Sequence, residues 1–357
     1  MAAPLPPPLS FACAPGPDLT SQMFGIYRKI RLLGRATGKS GLPPPLWPIG
    51  PFGGTDASVG AFCLQAPTSP PVAGTAPAPR IPTLNPRRRH SMTETTTLPE
   101  PADLTETVFS ALKDKAELST GPRVVLGVLA GVYIGLGGLF ATIALAGADA
   151  LPFGVAQVLA GVVFSLGLLL VMVAGAELFT GNTLLAGPVR AGQVPLAKAA
   201  SALVTVYVAN FGGAVLLALL VLGAGLHEAG EGAVGRAALD LGATKTGKSF
   251  AALLASGILA NMLVCLAVWM AYGGRTVTQK LAGLLLPIAA FVAAGLEHSV
   301  ANMYLLPYAY LVQMAGDAPA TEMSLGGIGA NLVASTLGNL VGGAAVALAY
   351  GHVYIRR

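Results

Sequence analysis

Charged side chains are scarce: only 10% of the 357 residues are Asp, Glu, Lys or Arg, against about 25% in an ordinary soluble domain. Cysteine is rarer still. Cys13, Cys63 and Cys265 are too few and too scattered for a disulfide framework. Cys265 falls inside an apolar run, where a thiol behaves as a small hydrophobe. No metal-ligand spacing occurs, and no cofactor or nucleotide motif is present. The formal net charge of +5 does not indicate a nucleic-acid surface. Residues 1–91 carry nine Lys or Arg against Asp18 and Asp56, whereas the rest carries twelve bases against fourteen acids.

What is abundant is apolar sequence. Hydrophobic residues make up 54% of the chain and the mean hydropathy is +0.69. Apolar runs reach the roughly 18 or more residues needed to cross hydrocarbon. The fold class is therefore an all-α membrane protein.

Residues 1–91 differ in kind. They hold 18 of the 27 prolines and no run of spanning length, a composition that cannot bury enough surface to offset its conformational entropy. This disordered leader is either an organellar transit peptide or an over-long start preceding Met92. A surface-helix region, 92–123, follows. Leu104, Val108, Leu112 and Ala116 recur at four-residue spacing, with Asp103 as N-cap and Pro122 as terminator. Such a helix is expected to lie along the membrane surface.

Six transmembrane helices are expected near 124–147, 153–186, 197–225, 249–272, 281–314 and 327–350. They form one three-helix repeat (124–225), an extracytoplasmic loop (226–248), a second repeat (249–350) and a tail (351–357). Three spans per half make the second enter from the opposite face, giving an inverted 3+3 repeat. Basic residues concentrate in the loops of one side (Lys113, Lys115, Arg123, Arg190, Lys198, Arg275, Lys280, Arg356, Arg357). The positive-inside bias places both termini in the cytoplasm.

Spans two and five are too long for one simple crossing, and each contains an interruption reading A-G-x-E-x-x-x-x-N, at residues 174–182 and 294–302. Glycine-flanked breaks carrying an acid at membrane depth point to a substrate pathway between them. Asn210-Phe211-Gly212-Gly213 and Asn339-Leu340-Val341-Gly342-Gly343 extend the repeat. Each break exposes a half-helix N-terminus, which favours a small anion. His298 joins Glu177 and Glu297 in the apolar interior and can donate to an anion or hand it a proton. Thr180, at the matching break, offers a hydroxyl opposite. Glu177 and Glu297 are expected to fix the breaks, with Asn261 as a partner for Glu297. Phe179 and Phe291 flank the breaks, and Phe164 lies four residues before Leu168, all suited to ordinary packing or to apolar constrictions.

At GAELFTGN (175–182), ILANMLVCLAVWMAYGGR (258–275), FVAAGLEHSVANM (291–303) and LGNLVGG (337–343) the chain resembles the formate/nitrite transporter family. The resemblance implies an aquaporin-like protomer with broken helices two and five, assembled as a homopentamer with one pore per protomer. It implies His298 and Thr180 as the central selectivity pair and Lys245 as the cation drawing anions into the outer vestibule. Asn339 would line the pore, and Asn261 would join the network around the histidine. Phe179 with Phe291 would form the periplasmic-side constriction, and Phe164 with Leu168 the cytoplasmic one.

Nitrite is the first expected substrate and formate the second, with protons as a co-reactant. The expected location is the cytoplasmic membrane, or a plastid envelope if the leader is a transit peptide. No enzymatic activity is expected. Two rivals stand: a neutral-solute pore, although the paired Asn-Pro-Ala breaks of aquaporins are missing, and an intramembrane hydrolase using His298 and Ser299.

Overall fold

The structure is a computed structural model describing residues 98–316 and 323–355. The expectation for the leader, residues 1–91, lies outside the described residues, as do Arg356 and Arg357. Among the described residues there is no strand. The elements are α1 (Pro101–Glu117), α2 (Thr120–Leu145), α3 (Phe153–Ala174), short helices α4 (Phe179–Asn182) and α5 (Ala186–Arg190) around a 3-10 turn, then α6 (Leu196–Gly223), α7 (Ala233–Thr246), α8 (Phe250–Gly273), α9 (Val277–Ala293), α10 (Ser299–Ala315) and α11 (Leu325–Tyr354).

Five of these, α2, α3, α6, α8 and α11, are long and apolar enough to cross a membrane. The fifth expected span is divided into α9 and α10, of 17 residues each. The second expected span is likewise interrupted, α3 being followed past Gly175 by the short helices α4 and α5. With 22 residues α3 spans alone, at about 1.5 Å per residue, and short turns follow it. The segment 226–248, expected as a loop, is largely α7.

Both breaks use one device. Gly175 follows α3 with φ 72°, and Gly295 follows α9 with φ 62°, a left-handed conformation that glycine adopts without steric cost. In each, the amide that follows the glycine bonds back: Ala176 N to Val171 O at 3.0 Å and Leu296 N to Phe291 O at 3.1 Å. Every residue of the second set stands 120 positions beyond its mate.

The repeat extends to helix packing. Gly213 of α6 lies against the Val128 carbonyl of α2, and Gly342 of α11 lies against the Ile258 carbonyl of α8. Small residues at these crossings let backbones approach closely, which drives association where water cannot.

Two expectations about α1 are corrected. The helix begins at Pro101, with Glu100 at the N-cap position, and Asp103 stands in its first turn, where an acid complements the helix dipole. Pro122 does not end α1, which stops at Glu117; it lies in the first turn of α2, where a missing N–H is harmless. The terminal carbonyls of α1 are satisfied by Arg123, which donates to Ala116 O at 3.0 Å and Leu118 O at 2.6 Å. The apolar stripe of α1 is buried against the rest of the protein at Val108, Leu112 and Ala116. Phe109 fits against Gly187 and Gly351 and meets Trp269 edge-on at 6.4 Å, so α1 docks on α5, α8 and α11.

Gly342→Ala should lower stability by about 1–3 kcal/mol, the usual cost of overpacking, because its Cβ would collide with the Ile258 carbonyl. Gly329→Ala, facing open space, is the control. Thermal unfolding in detergent checks this, and equal midpoints for the two variants would contradict the packing described.

Candidate functional site

The two breaks converge on one contact. His298 occupies the N-cap position of α10, and its Nδ1 accepts the Ala301 N–H at 3.0 Å. A ring nitrogen that accepts has no proton, so the neutral ring carries its hydrogen on Nε2. Nε2 lies 2.8 Å from Thr180 Oγ1. Both side chains are buried. The capping role thus sets the tautomer and aims the remaining donor at the opposite break.

Behind Thr180, its carbonyl accepts from Thr183 Oγ1 at 2.6 Å and Asn261 Nδ2 at 3.3 Å. Asn261 also donates to Thr183 Oγ1 at 2.9 Å and to the Asn339 carbonyl at 2.6 Å. This corrects its expected pairing with Glu297: Asn261 braces the Thr180 side.

Each break is held by an asparagine and a carboxylate. Asn210 donates to Gly127 O at 2.7 Å and Glu177 O at 2.8 Å, and accepts the Phe179 N–H at 2.9 Å. Asn339 donates to Gly257 O at 2.8 Å and Glu297 O at 3.0 Å, and accepts the Ser299 N–H at 2.8 Å. Glu177 is bonded by Lys115 at 2.6 Å and Asn182 at 2.7 Å. Glu297 is bonded by Lys248 at 2.7 Å, Lys245 at 3.1 Å and Asn302 at 2.7 Å, with Asn331 at 3.3 Å. Buried carboxylates persist when paired and fully hydrogen-bonded. Asn331 was missed by sequence reasoning. The signal was available, since Asn331, Ser335 and Asn339 recur every four residues along one face of α11.

The expected aromatic grouping is corrected. Phe164 pairs with Phe291, edge-to-face at 5.4 Å and 88°, and the Phe291 ring is 5.8 Å from that of His298. Phe179 packs instead on Tyr207 at 4.8 Å. Leu168 is buried one turn from Phe164 on α3. Phe164 and Phe291 project from antiparallel neighbours, α3 and α9, which explains why they meet.

A cavity of about 680 Å³ reaches the second break, lined by Arg236, Asp240, Lys245, Lys248 and Gly295. A second of about 180 Å³ reaches the first, lined by Lys115, Gly175, Leu178, Tyr272 and Lys280. They sit at opposite ends of α3, one touching Phe153 and the other Gly175. Lys280 donates to Ala271 O at 2.9 Å. Burial pushes the Lys245 ammonium below the usual lysine range, and the Glu297 carboxylate partly restores it. Among the described residues, no three His, Cys, Asp or Glu side chains could together hold a metal ion.

Comparison with known proteins bears on this arrangement. The family model described as formate/nitrite transporter matches residues 102–353. The formate channel FocA of Escherichia coli K12 is 37% identical over 246 residues, covering 65% of this chain and 86% of the relative. A probable formate transporter of Methanothermobacter thermautotrophicus is 36% identical over 288 residues, covering 72% and 97%. Among solved structures, a pentameric formate channel with formate bound is similar, with TM-score 0.60 and 32% identity over 66% of this chain and 98% of that one. An ion channel of the same family gives TM-score 0.60 and 31% identity over 71% and 99%.

Two measurements check the site. Selective ¹⁵N-histidine spectra should show His298 as the neutral Nε2–H tautomer at pH 7; an Nδ1–H signal would refute the capping bond. Glu297→Leu should cost about 3–5 kcal/mol in unfolding experiments, because Lys245 is left buried without its counter-charge. A loss below 1 kcal/mol would show that the carboxylate does not hold the break.

Proposed function

Because the chain belongs to the formate/nitrite transporter family, we propose that it is a channel for small monovalent anions, formate and nitrite foremost, with Thr180 and His298 as its central binding pair. The observation that carries this reading is the 2.8 Å contact between Thr180 Oγ1 and His298 Nε2, where the two breaks meet, each break bordered by a lysine-lined cavity.

Each mouth has two lysines against one glutamate: Lys115 and Lys280 with Glu177, and Lys245 and Lys248 with Glu297. The larger mouth adds Arg236 and Asp240, which cancel. A unit positive surplus in a confined cleft raises the local anion concentration and disfavours cations. Between the mouths, Phe164 and Phe291 on one side and Leu168 and Phe179 on the other form apolar barriers that strip water. A dehydrated anion then exchanges solvent for the Nε2–H of His298 and the hydroxyl of Thr180. Asn339 and Asn261 hold the walls around that point. His298 acts chiefly as a neutral donor. Passing its Nε2 proton to the anion would require Nδ1 to take up another, at the expense of the Ala301 bond.

The pentameric assembly of the solved formate channel extends to this chain as a homopentamer with one conduit per protomer. Both termini face the cytoplasm. The hydrolase rival finds no support, since His298 is engaged by Thr180 and the buried Ser299 hydroxyl has no partner.

Uptake of formate, nitrite and glycerol into proteoliposomes at pH 5 and pH 7 tests the proposal. Both anions should enter and glycerol should not. His298→Ala and Thr180→Val should each reduce anion flux about tenfold or more, the scale of a lost hydrogen bond to a charged group. Glycerol flux matching formate, or unaltered anion flux in His298→Ala, would sink it.

A further inference from the structure

Resting on that reading, one cross-link lies behind Phe179. The hydroxyl of Tyr207 on α6 is 3.0 Å from Thr336 Oγ1 on α11. The same Tyr207 ring meets the Phe179 ring edge-on at 4.8 Å and 75°. Tyr207 precedes Asn210 by three residues, nearly one helical turn, and Asn210 holds the Phe179 amide at 2.9 Å. One face of α6 therefore grips Phe179 twice, by its backbone and by its ring.

The register of the repeat gives this bond its meaning. Thr336 lies 129 positions after Tyr207, the separation that also relates Asn339 to Asn210 and Gly342 to Gly213. Tyr207 and Thr336 are therefore equivalent positions of the two repeats, joined to each other. Their neighbours differ in kind. Phe179 has Ser299 as its mate, 120 positions on, so the first repeat carries two large rings where the second carries two small hydroxyl residues. The long side chain of Tyr207 reaches across, and its tip ends on the residue that replaces it in the other half. Edge-to-face rings are held by weak contacts, and an unanchored tyrosine would leave Phe179 free to change rotamer.

We infer that Tyr207 and Thr336 are positioning residues for the Phe179 constriction: their hydrogen bond fixes the ring against which Phe179 rests and so sets the aperture that rejects neutral solutes. Neither residue touches the permeating anion. Both act through Phe179.

The test measures glycerol and formate flux in the same proteoliposomes for wild type, Tyr207→Phe, Thr336→Val, the double variant and Thr336→Ser. Either single substitution should raise the glycerol-to-formate ratio about fivefold, the population change that accompanies loss of one neutral hydrogen bond. The double variant should match the singles, because one shared interaction is lost. Thr336→Ser, which keeps the hydroxyl, should retain the wild-type ratio. Unchanged ratios in both singles overturn the inference. So does a parallel fall in both fluxes, the mark of a purely structural role, or a multiplicative effect in the double variant. Wild-type vesicles that carry no formate would instead defeat the channel reading itself.

Discussion

Breaking a helix inside hydrocarbon strands backbone N–H and C=O groups that water cannot reach, each unsatisfied group costing several kcal/mol. The rest of the structure depends on how that is met. One asparagine per repeat does most of it. Asn210 and Asn339 each join a neighbouring-helix carbonyl, the carbonyl of the break's glutamate and the amide two residues later. A side-chain amide is suited to this work because it offers two donors and an acceptor in one plane. The glutamates then tie each break outward to lysines, so the polar backbone is continuous from the mouth to the centre.

The two halves share that frame and differ where chemistry is needed. At the position where the second repeat has His298, the first has Leu178. Asn261 corresponds to Gly131, and Asn331 to Ala202. The second repeat therefore carries the additional polar side chains, while the first supplies a hydroxyl and an apolar wall. His298 inherits a structural duty with its place in the repeat: it caps α10 through Nδ1. A leucine at the equivalent position cannot cap, and the first break is correspondingly followed only by the short α4. The capping bond is what leaves a single outward-facing donor.

How much of this could be read in the sequence follows from which forces act locally. The breaks were legible because glycine beside a glutamate in an apolar run violates the rules of a lipid-facing helix, and the violation occurs twice in register. Asn210 and Asn339 were legible as a repeated motif, but not as the side chains that hold the breaks. The partners of Glu297 were not. Asn261, Asn302 and Asn331 are all plausible by type, and only the packing of α11 against the second break decides that Asn331 reaches the carboxylate while Asn261 turns to Thr180. The aromatic grouping failed similarly. Phe179 and Phe291 flank their breaks in sequence, yet Phe291 projects toward α3, where Phe164 stands, and Phe179 projects toward α6. The end of α1 was misplaced because a proline tolerated in a first turn was read as one that terminates.

The placement of charge makes a final constraint on the proposed conduit intelligible. Fixed cations stand at both mouths, whereas the centre presents only neutral donors, Thr180 Oγ1 and the Nε2–H of a histidine whose other nitrogen is already bonded. An imidazolium at that depth, far from any Debye screening, would hold a bare anion strongly and slow its departure. A pathway conducts when binding is favourable enough for entry and weak enough for release. By engaging Nδ1 with a backbone amide, the helix cap leaves the ring a neutral donor, and on the proposed reading the same bond that ends the break would also limit how tightly the centre holds an ion.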